Sequence, residues 1–115
     1  MSIYDHYIQY YENKDFFPET SFLISNINFY KDNCLYLTYE TELSMKYDTD
    51  NEYDLFTISI MNNENVIGYV PNTRIKEICK NNIINEPLKI LNIDHFNGNY
   101  SIRVILKKFY DCNRL

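Results

Sequence analysis

The sequence predicts a small, mainly β domain with one well-defined helix, and three observations carry that prediction. Apolar and polar residues alternate over several stretches, the period of a strand with one buried face. Asn97-Gly98 separates two such stretches, and both residues favour the positive φ of a two-residue hairpin turn. Just after Pro71 the period changes to that of a helix.

In chain order, residues 2–13 are predicted as a short helix. Ser2 followed by Asp5 matches a capping box, and Ile3, Tyr7, Tyr10 and Tyr11 share one helical face. Residues 13–18, ending in Pro18, break it. Period two begins at Ser21, with Leu23, Ile27 and Phe29 on one parity through Tyr30. Leu43, Met45 and Tyr47 then alternate with Glu42, Ser44 and Lys46. Phe56, Ile58 and Ile60 alternate with Leu55, Thr57 and Ser59.

A turn over residues 62–65 leads to a short strand, 66–70, that stops at Pro71. Ile75, Ile78, Cys79 and Ile83 lie on one face of a helix over 74–84, with Asn72 or Thr73 as its cap. The last strands are 88–96 and 99–110. Ile102, Val104 and Leu106 point one way; Arg103, Ile105 and Lys107 point the other. Short strands with one helix predict a small β-barrel or curled sheet over residues 21–115. Residues 1–20 form a helical extension outside it.

Composition narrows the functional classes. The 115 residues are 45% hydrophobic and 23% charged, which suits one globular domain and excludes a disordered chain. No apolar run is long enough for a membrane helix, and the N-terminus lacks a secretory signal's basic start and apolar core. Three cysteines without a CxxC pair predict a reducing, cytoplasmic compartment and no zinc site. The terminal Cys112-Asn113-Arg114-Leu115 lacks the aliphatic residues of a prenylation signal. Alanine is absent while Asn, Ile and Tyr abound, the mark of an AT-rich genome such as a low-GC bacterium or a virus infecting one.

Catalysis and cofactors find no support. No serine or cysteine nucleophile has a locally supported His, and two glycines make no phosphate loop. His6 and His95 stand alone, so no metal site is predicted. Asp48-x-Asp50-x-Glu52-x-Asp54 opens like a calcium loop. Tyr53 replaces its glycine and Ser59 its closing glutamate, which rules out that mode.

The run from Asn51 to Ile60 followed by Val66-Ile67-Gly68-Tyr69-Val70-Pro71 resembles the HIRAN domain family. The shared pattern is an Asn-x-x-Asp turn, an alternating strand, a short turn, an apolar-Gly-aromatic-apolar-Pro strand end, then a helix. The likeness extends over roughly residues 21–110, with Asn28-Phe29-Tyr30 where the family often has an aromatic pair. It implies a small β-barrel and a non-enzymatic module that captures single-stranded DNA 3′ ends or a DNA-processing protein. By position, Tyr53 stacks on a terminal base and Asp54 accepts from the 3′ hydroxyl, with Tyr69 and Phe29 as further rings. Asn28 and Asn72 depart from the family, where some members carry basic residues.

The charge distribution bears on both this reading and its rivals. Residues 1–64 hold 3 basic and 12 acidic residues, net −9; residues 65–115 hold 8 and 4, net +4, which together give −5. Cations for phosphate must therefore come from the second half, with Arg74, Lys76 and Arg103 the candidates. The acidic run Asp48, Asp50, Glu52 and Asp54 supports an alternative, a viral or mobile-element inhibitor of the anti-CRISPR or DNA-mimic type. A third reading is a structural interaction module, with homodimer or partner contact through Tyr4, Tyr7 and Tyr11.

Overall fold

The computed structural model describes residues 20–48 and 57–112. The expected N-terminal helix and the residues of the Asn-x-x-Asp turn lie outside the described residues. Among the described residues there are six strands: β1 (Phe22–Leu23), β2 (Glu42–Asp48), β3 (Thr57–Asn62), β4 (Asn65–Tyr69), β5 (Leu88–Phe96) and β6 (Asn99–Leu106). They form one antiparallel sheet in the order β1-β6-β5-β2-β3-β4. The helices are short: a 3-10 turn at Ile27–Tyr30 running into α1 (Lys31–Cys34), then α2 (Asn72–Lys80) and α3 (Lys107–Cys112). None is long and apolar enough to cross a membrane, among the described residues.

Strand pairing does not close the sheet into the expected barrel. β2 joins β5 through only two residue pairs, Glu42 with Lys89 and Leu43 with Leu88. At the other seam, the chain leaving β1 sends Ile24 N–H to Ile102 O at 2.9 Å. Ser25 then bridges to Tyr69 of β4. The sheet curls far enough for its edges to meet at that one bridge.

The core sits inside the curl. Leu43 and Met45 of β2, Ile58 and Ile60 of β3, and Ile102, Val104 and Leu106 of β6 are all buried in one cluster. Those are the inward positions the alternation predicts for these strands. Phe56, assigned to the same face, lies outside the described residues. Ile75 and Ile78 add the buried stripe of α2. Tyr47, the third residue of the β2 alternation, is instead half-exposed, and its hydroxyl donates to Cys79 Sγ on α2 at 3.7 Å.

Hairpin turns follow their residues. Asn97 at φ 52° and Gly98 at φ 79° join β5 to β6, with Phe96 opposite Asn99 and His95 opposite Tyr100. Asn63 at φ 57° turns β3 into β4. Asparagine supplies the left-handed residue at Asn26 and Asn82 as well.

Four sequence expectations need correction. The expected strand over 21–30 stops after two residues, because Asn26 takes φ 58° and diverts the chain into the 3-10 turn. Phe22 and Ile24 are buried while Leu23 and Phe29 are exposed, the reverse of the expected parity; of the expected set only Ile27, past the Asn26 turn, is buried. Second, the helix after Pro71 starts and stops earlier than 74–84, with Pro71 itself at the N-cap position and no side-chain cap bond. Third, β6 ends at Leu106 and turns into α3 instead of running to 110. Fourth, the face of β6 opposite the core is covered too: Ile105 points away from the main cluster as expected but is buried, and Arg103 is half-buried. The partner strand β5 carries an irregularity between Ile90 and Asn92 that adds Leu91, which is buried outside the main cluster as Ile105 is. Such a bulge swaps the inward parity: Leu88 and Ile90 face the core before it, Ile93 after it.

Gly68 explains why the two edges meet. A Cβ there would collide with the Ile24 side chain and stand 2.7 Å from Ser25 O. Only glycine lets the 24–25 segment lie this close to β4.

Candidate nucleic-acid interface

The local geometry at the end of β4 begins with Tyr69. Its backbone is fixed by the bridge to Ser25, and its hydroxyl shares a 2.9 Å hydrogen bond with that of Tyr30. The two rings meet edge to face, centroids 6.0 Å apart and planes at 62°. The Tyr30 bond is the main reason that the Tyr69 hydroxyl is pushed up to about 12; burial and the Asp48 carboxylate add to it. Tyr69 therefore stays a neutral phenol at neutral pH.

Asp48 and Thr57 are paired across β2 and β3, so segment 49–56 leaves and re-enters the sheet here. That segment carries Asp50, Glu52, Tyr53 and Asp54, which lie outside the described residues. Asp48 itself is half-buried and engaged.

Tyr69 and Phe29 are the two further rings that the resemblance implies beside Tyr53 and Asp54. The ring that reaches Tyr69 is that of Tyr30, while Phe29 is 85% exposed. The 3-10 turn holding both is anchored on the other side by Asn28, whose Oδ1 accepts from Tyr100 N–H at 2.8 Å. Tyr100 in turn stacks on His95 with centroids 4.1 Å apart and planes at 3°. Phe96, at the end of β5, is also exposed, at 77%.

The candidate cations split. Arg74 and Arg103 converge on Ser21: Arg74 donates to its carbonyl at 3.3 Å, and Arg103 to its hydroxyl at 3.2 Å. Arg74 also pairs with Glu77 at 3.3 Å. Partial burial and the neighbouring Arg74 charge both lower the affinity of Arg103 for its proton, in that order. Ser21 is the buried hub that places two guanidinium groups side by side. Lys76 is simply exposed on α2, apart from this pair.

Two features of this surface escaped sequence reasoning. The Tyr30–Tyr69 bond joins residues 39 apart, and no local pattern signals it. The His95–Tyr100 stack was legible in principle, because a two-residue Asn-Gly turn places them opposite each other. A cleft of about 320 Å³ also opens beside β5, lined by Tyr39, Glu40, Lys89, Leu91, Asn92 and Tyr110 among others. Among the described residues no group of three or more His, Cys, Asp or Glu side chains gathers to hold a metal.

No family model matches the chain, and neither a curated protein nor a solved structure does.

Proposed function

We propose that this chain is a non-enzymatic module that binds the 3′ end of single-stranded DNA in the HIRAN manner. One observation supports it above the rest: a braced aromatic platform, Phe29 bare beside Tyr30, whose hydroxyl is locked to Tyr69. Bases present a π face whatever their identity, and each stack contributes about 1–3 kcal/mol. Tyr30, held by Tyr69, loses little side-chain entropy when a base settles on it. The segment carrying Tyr53 and Asp54 springs from Asp48, close enough to Tyr69 for its charge to be felt there. Asp54 is then the acceptor for the terminal hydroxyl. Arg74 and Arg103 supply the paired positive charge that phosphates require.

The test measures binding of short single strands to the full chain across a salt series, with the 3′ hydroxyl free or blocked by phosphate. Binding should fall steeply with salt and favour the free end. Phe29→Ala and Tyr53→Ala should each weaken it by about 1–3 kcal/mol, and Asp54→Ala should erase the preference for a free end. Absence of binding at low ionic strength ends this reading in favour of a protein partner for the acidic run Asp48, Asp50, Glu52 and Asp54.

A further inference from the structure

The two sides of the β5–β6 hairpin are treated differently. On the β6 side, the outward backbone groups are met by the chain that follows β1. Ile102 O accepts from Ile24 N–H at 2.9 Å, and Tyr100 N–H donates to Asn28 Oδ1 at 2.8 Å. Ile102 and Tyr100 therefore turn their backbones away from β5. Their partners Ile93 and His95 occupy the matching non-hydrogen-bonded sites and turn theirs away from β6.

The β5 side has no comparable cover among the described residues. β2 leaves after Leu88 and Lys89, so no strand among the described residues borders β5 from Ile90 to Phe96. The Ile93 N–H is met by a side chain, the Tyr39 hydroxyl at 3.2 Å. The Ile93 carbonyl and both backbone groups of His95 have no partner among the described residues. Beside this edge lies the 320 Å³ cleft, floored by Leu91 and walled by Tyr39 and Tyr110. Lys89 Nζ donates to Tyr39 O at 2.6 Å and sits 5.5 Å over the Tyr110 ring, which holds the wall in place.

The geometry points to strand addition: β5 is a docking edge for an extended peptide of a partner protein, whose apolar side chain fills the cleft. Donors and acceptors at strand spacing are complementary to another extended backbone and to no nucleic acid. A second copy of this chain fits worse. Antiparallel self-pairing centred on Asp94 sets two carboxylates face to face, in molecules that already carry net −5 each. The edge is separate from the Tyr30–Tyr69 platform, so the inference does not depend on DNA binding.

The test is selection of short linear peptides from a displayed random library against the full chain, followed by variants of the edge. His95→Pro removes an outward N–H without touching the β6 ladder, and should lower affinity for the selected peptides at least tenfold. His95→Ala keeps the N–H and should bind within a fewfold of the parent. Tyr39→Phe frees the Ile93 amide, so that amide should exchange with solvent faster in the free protein and slow when peptide is added. No selected binder, equal loss in both His95 variants, or no loss in either would overturn the proposal. A concentration-dependent dimer abolished by His95→Pro would also overturn it, assigning the edge to a second copy.

Discussion

Ser25 and Tyr69 exchange both backbone hydrogen bonds, at 2.8 and 2.9 Å, and so tie the first strand segment to the last strand of the sheet. That single bridge places Tyr69 against Tyr30, because the chain turns at Asn26 directly after Ser25. The candidate platform is thus a consequence of how the sheet edges meet. Gly68, next to the bridge, permits the approach.

Gly68→Ala should therefore destabilise the protein more than loss of glycine flexibility suggests. Its methyl group collides with backbone at Ser25 as well as with Ile24, and backbone cannot rotate aside. A cost of about 1–3 kcal/mol is expected, typical of overpacking. Chemical denaturation measures it, and the Tyr30–Tyr69 contact should weaken in parallel. A neutral substitution would show that the 24–25 segment does not lie on β4.

Alkaline pH should erode stability through the same contact. Tyr69 is raised in the fold from 10.0 to about 12, and buried Cys34 from 9.0 to about 11 by desolvation. Both groups keep their proton more tightly when folded, so their contribution is full below pH 9 and is lost as pH climbs through 11 to 12. Thermal unfolding as a function of pH should show this decline. In Tyr69→Phe the upper part of the decline should shrink, and tyrosinate absorbance should lose a phenol that titrates well above the ordinary range. Unchanged alkaline behaviour in that variant would separate Tyr69 from the effect.

The strands with a steady polar–apolar rhythm were legible because a single rule governs them. Ile58, Ile60, Ile102 and Val104 face inward because alternate residues must. Asn97-Gly98 fixed the hairpin by its own backbone preferences. What stayed hidden depends on one residue breaking the rhythm. Asn26 in the left-handed region turned an expected strand into a 3-10 turn, and the bulge at Leu91 changed which β5 residues face inward. For the interface, residue types were legible and their pairing was not. Tyr30 meets Tyr69 from 39 positions away, and Ser21 joins two arginines 29 positions apart in sequence.

Core substitutions should distinguish the two faces of the sheet. Ile58 is fully buried in the main cluster, and Ile58→Ala should cost about 2–5 kcal/mol. Ile105 is just as buried but lies outside that cluster, so Ile105→Ala tests whether the outer face carries comparable weight. A loss of similar size is expected, because the transfer term depends on burial alone. Equilibrium unfolding of both variants provides the comparison, and a loss below about 1 kcal/mol at Ile105 would show a loosely packed outer face.

Arg74 and Arg103 give the sharpest separation between a structural and a binding role. Both donate to Ser21, and burial together with the Arg74 charge raises the cost of charge on Arg103. Removing one charge should relieve that repulsion, at the expense of a hydrogen bond to buried Ser21 and, for Arg74, of its pair with Glu77. Arg74→Gln and Arg103→Gln are thus expected to change stability by no more than about 1 kcal/mol. If the pair contacts DNA phosphates, each substitution should weaken single-strand binding and reduce the slope of log affinity against log salt by about 0.7. Lys76→Gln, a charge change of the same size on α2 away from the pair, serves as the comparison. Equal slopes for all three variants would mean that the positive charge acts only through the general field of the protein. A large stability loss in the arginine variants, with the salt slope intact, would assign the pair to holding Ser21 and the entry of β1.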